Sequence, residues 1–483
     1  MAQELLEIPL ETLNQQELDP EKNDDVRKRV EDTQEIAAAS GVSFRTAPSE
    51  NSESIRSRST NEINNDEEEE EEEEEFPEGG LDAWRVVLAS FFGLFAVFGL
   101  CNSLGAVQAH VSIFQLSNKS ESQVSWIFSV LLFFLFFLTG LVGPIYDSLG
   151  PYQLSIIGTF LWTLGLITTS FCTEYYQFFL AFSVCVGIGG ALLMTPLIAI
   201  VGQWFNKRRA TAIGIATVGG SVGGVVYPLM LRKLYSSIGY AWALRVLGVL
   251  CFVLLISFIL LMKTRLTSLE KRKLSKTLLG GVSNMIDYRQ LRDHRFAGLV
   301  IGNFLGELGA VNGLTFLTSY ALAQNHSEEF SYAILAILNA SAIGGRIIPG
   351  ILADKLGRFN TVIATTIMAA FTIFVIWLPF GSNTIGLIMF SVTHGFCNGS
   401  IVSLAPACCG QICRTRDYGK RYGFMYFVAS VTILIGVPIS GALITNEKDY
   451  TNLIIFDGVV YIATTLALLY SRYAAVGFRW CKW

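Results

Sequence analysis

From Trp84 onward the chain is a series of apolar runs separated by short polar breaks. Each run is long enough to cross the ~30 Å hydrocarbon core of a bilayer. They fall near 85–109, 124–146, 152–172, 177–200, 210–233, 241–263, 295–323, 330–352, 359–380, 384–410, 421–445 and 451–472. The pattern predicts an all-α membrane protein of twelve transmembrane helices, because in lipid only helices and closed barrels satisfy their own backbone. Residues 1–76 carry no such run. They are polar, poor in aromatics, and end in Asp66 and nine consecutive glutamates, Glu67 to Glu75. A segment of this kind buries too little apolar area to offset its ordering entropy, so a disordered acidic tail is expected. Solvated filler and a regulatory or partner-binding tail both suit it, with serines between Ser52 and Ser59 as phosphorylation candidates.

The breaks carry the orientation signal. Lys207-Arg208-Arg209, the stretch from Lys263 to Arg295, Lys355 with Arg358, Arg414 to Arg421 and Arg472 to Lys482 all fall on one side. The other side offers Lys119, Lys448 and, at a helix end, Arg232 and Lys233. The basic side is the cytoplasmic one, and an even number of spans puts both termini there. Asn118-Lys119-Ser120 and Asn325-His326-Ser327 are glycosylation sequons in the opposite, outer loops. Those at Asn339 and Asn398 sit inside spans and should stay unmodified.

Composition changes the picture only when divided along the chain. Only 16% of residues are charged, and the formal net charge is −5. Residues 1–84 hold 26 acidic and 7 basic residues, a net −19, whereas the remainder holds 14 acidic and 28 basic, a net +14. The opening MAQELLEIPLETL lacks a basic stretch followed by an apolar one, so no cleavable signal is expected and the first span directs insertion. The nine cysteines sit in or beside apolar stretches without metal-site spacing, as small packing residues do. No nucleotide-binding loop, metal cluster or nucleophile–base set is legible, so neither an enzyme, a resident cofactor nor a nucleic-acid partner is expected.

The chain also repeats itself. Gly143-Pro-Ile-Tyr-Asp147-Ser-Leu-Gly150 returns 207 residues later as Gly350-Ile-Leu-Ala-Asp354-Lys-Leu-Gly357-Arg358. Thr195-Pro196 returns as Ala405-Pro406, Gly202-Gln203 as Gly410-Gln411, Arg208-Arg209 as Lys420-Arg421, and Pro228 as Pro438. Two six-helix halves follow, 77–263 and 295–473, joined by a central cytoplasmic loop at 264–294 and closed by a short tail at 474–483. Such a duplication predicts a site between the halves near the midplane and alternating access by rocking.

The Gly-x-x-x-Asp-x-x-Gly loops resemble the cytoplasmic signature of the major facilitator superfamily, over residues 84–473. That resemblance implies a latch made of Gly143, Asp147, Gly150, Gly350, Asp354, Gly357 and Arg358 with Arg208 and Arg209. Glycine supplies the turn, and each acid can pair with a base or a helix N-terminus. Phe76-Pro-Glu-Gly-Gly80-Leu-Asp82-Ala-Trp84 and Trp204-Phe-Asn-Lys-Arg208-Arg209-Ala-Thr-Ala212-Ile-Gly214-Ile-Ala216-Thr-Val-Gly219-Gly220-Ser221 are similar to motifs of the monocarboxylate-porter family. The second is a small-residue face suited to close helix approach.

Gly219 to Pro228, Leu378 to Gly381, Gly395 to Ser400, Cys408 to Ile412 and Val476 to Trp480 resemble the fungal branch of that family, in particular its riboflavin-carrying line and the nearest paralogue of that line. The resemblance implies a monomeric secondary carrier in the plasma membrane rather than the vacuolar one, moving riboflavin by facilitated diffusion. A proton-coupled carrier of a small organic anion and a transporter-like nutrient sensor are the alternatives. The animal monocarboxylate carriers use a first-span lysine and an Asp four residues before an eighth-span Arg. Here the first span reads Gly105-Ala-Val-Gln-Ala-His110, and Ala342 precedes Arg346.

Ionisable groups at membrane depth are costly and usually functional. Glu307 lies ~18 Å into the seventh span and Arg346 ~12 Å outward of Asp354 along the eighth, by helix rise. These depths suit a pair across helices that lines the cavity and changes partners, or a purely structural bridge. Asn102, Gln108, Asn303, Asn312, His394 and Asn398 are candidate hydrogen-bonding groups, and Tyr227 and Phe316 candidate stacking surfaces. His110 and Asp457 fall nearer the outer face, a position that equally suits solvated helix ends.

Overall fold

A computed structural model describes residues 76–265, 288–444, 449–479 and 481–483. The acidic tail up to Glu75, the middle of the central loop, Lys448 and Trp480 lie outside the described residues. The apolar runs can bury their backbone polar groups in lipid only by bonding them within the segment, and the regular elements are accordingly helices. They are α1 Leu81–Asn102, α2 Glu121–Leu149, α3 Pro151–Thr169, α4 Tyr175–Gly202, α5 Arg209–Leu261 and α6 His294–Ala323. The second part holds α7 Glu328–Leu356, α8 Arg358–Phe380, α9 Thr384–Ile412, α10 Tyr418–Ala442 and α11 Thr451–Val476. Ten of these are long and apolar enough to cross a membrane. The 19-residue α3 is shorter than those ten and stands apart from them.

Expected ends shift in several places; α1 stops at Asn102, short of the expected 109, and a separate short helix covers Leu104–His110, while two further shifts stand out. The sequence places a helix end at Arg232 and Lys233, but the helix runs on to Gly239, where a kink divides the 53 residues of α5 into two helices. A straight helix of that length would reach ~80 Å, more than twice the hydrocarbon thickness. Gly239 resolves this with φ 77° and ψ 170°, a conformation close to glycine-only. Its second arm turns back: Lys263 pairs with Asp82 at 2.6 Å, and its carbonyl accepts from Trp204 Nε1 at 2.9 Å, beside the start of α5. At the other place α11 continues to Val476, past the expected boundary near 473. Gly150 and Gly357, the equivalent glycines of the repeated motif, take positive φ values of 80° and 108° and separate α2 from α3 and α7 from α8.

In the first part α1 packs along α5, and α4 against α2 and α3; in the second, α6 packs along α11 and α9 against α7 and α8. The two parts meet through α2 with α10 and α5 with α7. Trp162, Trp377, Tyr227, Tyr422, Tyr426 and Tyr461 are fully buried between helices, while Phe160, Leu229, Trp242, Ile385 and Leu466 stand exposed on the outside. An outer surface of that kind belongs in lipid. All nine cysteines are free thiols, and the buried ones fill helix contacts.

No atom lies within 4 Å of where a Cβ at Gly239 would stand, so substitution there acts through the backbone alone. Gly239→Ala should cost about 1–3 kcal/mol, seen as a lower melting midpoint in detergent with unchanged helical content.

Candidate functional site

Two symmetry-related contacts close one end of the bundle. The Asp147 carboxylate, at the end of α2, accepts from the backbone N–H groups of Gly419 and Lys420 at 2.8 and 2.6 Å, in the first turn of α10. The Asp354 carboxylate, at the end of α7, accepts from the N–H groups of Ala210 and Thr211 at 3.1 and 2.8 Å and from Thr211 Oγ1 at 2.6 Å. Each acid thus satisfies donors that the first turn of a helix leaves free, and it meets the positive end of that helix dipole. The helix N-terminus is the partner in both cases. Arg358 adds only a longer approach, 4.0 Å, to Asp354 and gives its guanidinium to the Asn206 carbonyl.

Glycine makes the approach possible. A Cβ at Gly143 would overlap the carbonyl of Gly419, and one at Gly350 would stand 2.9 Å from that of Ala210. Arg209 is buried and donates to the carbonyls of Gly202, Phe205 and Gly410, so it ties α4 and α5 to α9. Arg208 contributes its backbone N–H instead, to Glu78 at 3.2 Å. Glu78 also accepts from the N–H groups of Asn206 and Lys207 at 2.9 and 2.6 Å, and Trp84 meets Phe205 edge-on at 5.3 Å. The segment before α1 is therefore strapped to the α4–α5 turn. Asp293 joins the start of α6 to α10 by pairing with Arg295 at 3.0 Å and Arg421 at 3.3 Å. Partial burial opposes its ionisation, but those two arginines outweigh burial and hold its pKa below the ordinary carboxylate value.

Deeper in, charged and aromatic groups converge. Arg346 of α7 is 5% exposed, and its guanidinium donates to the Thr217 carbonyl of α5 across the two parts, leaving Nε without a partner. Glu307 of α6 is 9% exposed and close enough for its charge to act on Arg346, yet neither is in an ion pair among the described residues. Tyr422 and Tyr426 of α10 lie within the field of Glu307, and Tyr426 also within that of Arg346. Their rings are 4.8 Å apart, and Tyr426 stacks on Phe136 of α2 at 5.3 Å and 18°. Both amide atoms of Asn303, one turn from Glu307, are buried without a partner. Phe136, Tyr422 and Tyr426 escaped the sequence reading because an aromatic in an apolar run looks like packing. The only signal for the two tyrosines is the spacing of four that puts Tyr418, Tyr422 and Tyr426 on one face of α10, and Phe136 has none.

The other candidates go elsewhere. Asn312 Nδ2 donates to Asp457 Oδ1 at 3.3 Å, and Ser440 Oγ donates to Asn312 Oδ1 at 2.7 Å, inside the second part. Asp457 is fully buried, so of the two readings open for it the solvated helix end is the one that falls: α11 begins at Thr451 and six residues carry it inward. His394 is buried against Phe390 and Tyr461, with neither ring nitrogen paired, and Asn398 Oδ1 is likewise unpaired.

Asn102 donates to the Gly220 carbonyl at 3.1 Å and Gln108 to Ser125 Oγ at 2.8 Å, both as bonds between helices. Tyr227 packs edge-on against Phe95, its hydroxyl 3.6 Å from Cys251 Sγ, within the first part. Phe316 lies beside Gly441 of α10. His110 stacks on Tyr235 at 3.9 Å. Asn118 and Asn325 are exposed, at the end of the bundle opposite Asp147 and Asp354.

Known proteins share this architecture. The chain is 39% identical to the riboflavin transporter MCH5 of Saccharomyces cerevisiae over 422 residues, which is 84% of this chain and 81% of that protein. It is 34% identical to the aspyridones efflux protein apdF of Emericella nidulans, over 80% of this chain and 76% of that one. The crystal structure of FucP, a transporter in the outward conformation, superposes with a TM-score of 0.61 at 17% identity, covering 81% of this chain and 98% of that one. A sequence model described as Major Facilitator Superfamily matches residues 86–414 and 350–477. This multi-pass membrane protein is thus a transporter and not an enzyme, and it belongs to the Major Facilitator Superfamily.

Proposed function

We propose that this chain is a monocarboxylate-porter-like carrier that moves riboflavin across the plasma membrane by alternating access. The observation that carries the reading is the buried set of Glu307, Arg346, Asn303, Tyr422 and Tyr426, which joins unpaired hydrogen-bonding groups to flat aromatic faces. Polar groups at membrane depth are costly unless a solute or partner uses them, and this mixture suits a planar, polar, largely neutral solute. The 39%-identical yeast relative, a riboflavin transporter, points the same way. Twelve spans follow if α3 crosses the bilayer and α5 crosses twice, as the reversal at Gly239 supports. The Asp147–Asp354 end is then the cytoplasmic one, by its basic residues, and the two carboxylates are the latches that hold it shut.

Facilitated diffusion is the first reading, since neither the first-span lysine nor an acid at position 342 is present. A second reading, proton-coupled movement of a small organic anion, is favoured by Arg346, a buried fixed positive charge.

Uptake of labelled riboflavin and lactate, in cells lacking their own carriers and at two external pH values, separates the two. Saturable riboflavin uptake unaffected by a protonophore is expected; lactate uptake that rises at acid pH would replace it with the second reading. Replacing Asp147 by Ala should speed amide hydrogen exchange at Gly419 and Lys420 while leaving Ala210 and Thr211 unchanged, because each acid caps only one helix. Glu307→Gln and Arg346→Met should each lower the melting midpoint by more than the double variant implies, with a coupling of about 0.5–3 kcal/mol. Strict additivity would mean that the two charges act independently.

A further inference from the structure

The seam between α2 and α10 is layered. Moving inward from the capped end, Asp147 holds the first turn of α10, and Gly143 then lies against Gly419 and Gly423. Gly140 follows, against the side chain of Phe427, and next comes the Phe136–Tyr426 ring pair. Phe136 belongs to the first part of the molecule and Tyr426 to the second. The two rings are nearly parallel, at 18°, with centroids 5.3 Å apart. Both are almost fully buried, at 6% and 2% exposure.

Tyr426 lies within the field of Glu307 and Arg346, and α6, which carries Glu307 and Asn303, packs against α10. Arg346 Nε and both amide atoms of Asn303 have no partner among the described residues. Buried donors and acceptors left unpaired cost about 1–3 kcal/mol each. With one such group on α7 acting on Tyr426 and another on α6, which packs against the Tyr426 helix, they mark a place where a ligand supplies the missing bonds.

The geometry points to Phe136 and Tyr426 as a clamp for the flat ring of the transported solute. When the two parts rock apart at this end, the Phe136–Tyr426 contact must break. A planar heteroaromatic ring that slides between them replaces one stacking contact by two, one to each part. Glu307 and Arg346 take the polar edge of that ring: the carboxylate accepts from a ring N–H, and the guanidinium donates to the flanking carbonyl oxygens. The tricyclic ring of a flavin offers that edge, an N–H between two C=O groups. The solute thereby lowers the cost of the conformation that passes it on, which is what couples binding to movement. This rests on the proposed riboflavin reading for the cargo, but the clamp itself requires only a flat ring.

The test uses the purified full chain in lipid nanodiscs. Binding is followed by quenching of the fluorescence of riboflavin and, separately, of lumichrome, which keeps the flat ring and lacks the ribityl chain. Base-on-aromatic stacking is worth about 1–3 kcal/mol per ring by alanine substitution. Phe136→Leu and Tyr426→Leu should therefore each weaken binding of both probes on the order of tenfold. Phe136→Tyr and Tyr426→Phe, which keep a ring, should bind within a factor of about two of the unaltered protein. Glu307→Gln should weaken both probes, since the edge is common to them.

If riboflavin fails to bind but lumichrome binds and depends on both rings, the clamp stands and the riboflavin reading falls. Leucine variants that remain monodisperse and bind both probes unchanged would overturn the clamp and leave the transport reading intact. An unaltered protein that binds neither probe overturns both. Should the leucine variants not fold, loss of binding in the ring-keeping variants, shown by retained melting midpoint to be folded, would overturn the clamp equally.

Discussion

Two carboxylates, Asp147 and Asp354, each accept two backbone N–H bonds from the first turn of a helix in the opposite part of the molecule. The first turn of any helix has donors that its own backbone cannot satisfy. In a membrane protein those at a helix end must find water, a lipid headgroup or a side chain. Here an acid from across the interface supplies the need, and the bond is charge-assisted. Everything on the capped end follows from this closure. The glycines at 143, 350, 419 and 423 allow the backbones to come within reach, and Arg209, Arg358 and Glu78 hold the turns that present those N–H groups. A contact made of a few directional bonds, rather than broad apolar packing, is also one that can be broken as a unit.

The centre of the molecule shows the opposite economy. Asp147 and Asp354 are fully bonded, whereas Asn303, His394 and Arg346 keep buried polar atoms without partners. Such atoms are tolerated in a transporter because the solute or water that satisfies them comes and goes. Asn102, Gln108 and Asn312 show the difference: each is bonded to a neighbouring helix, and each serves assembly. The dividing line between glue and binding group is thus drawn by whether the neighbour's donors and acceptors match.

The relatives carry different cargoes on one scaffold. A riboflavin transporter and an aspyridones efflux protein both align with four-fifths or more of this chain. Fold therefore speaks to how the solute moves, and the side chains at the centre speak to which solute it is. At the centre of this chain Glu307, Arg346, Asn303, Tyr422 and Tyr426 are all buried.

Read by itself, the chain determined a great deal. Apolar runs of membrane length require helices, because hydrocarbon offers no other partner for the backbone, and the motif repeated at 207 residues defined two related parts. It also marked Asp147 and Asp354 as a matched pair. It could not say which donors they meet, because Gly419 lies 272 residues from Asp147 and Ala210 lies 144 from Asp354, and contact at that distance is set by packing. The same reason separates Glu307 and Arg346, whose depths were legible, from Phe136 and Tyr426, which are indistinguishable in sequence from any aromatic in an apolar run. Asp457 makes the point from the other side: its place near a helix end suited water as well as burial, and the helices around α11 bury it completely. Periodicity and repeats are local or linear properties that a sequence displays. Which side chains face one another across two packed halves depends on helix rotation and close approach, and only the tertiary structure decides those.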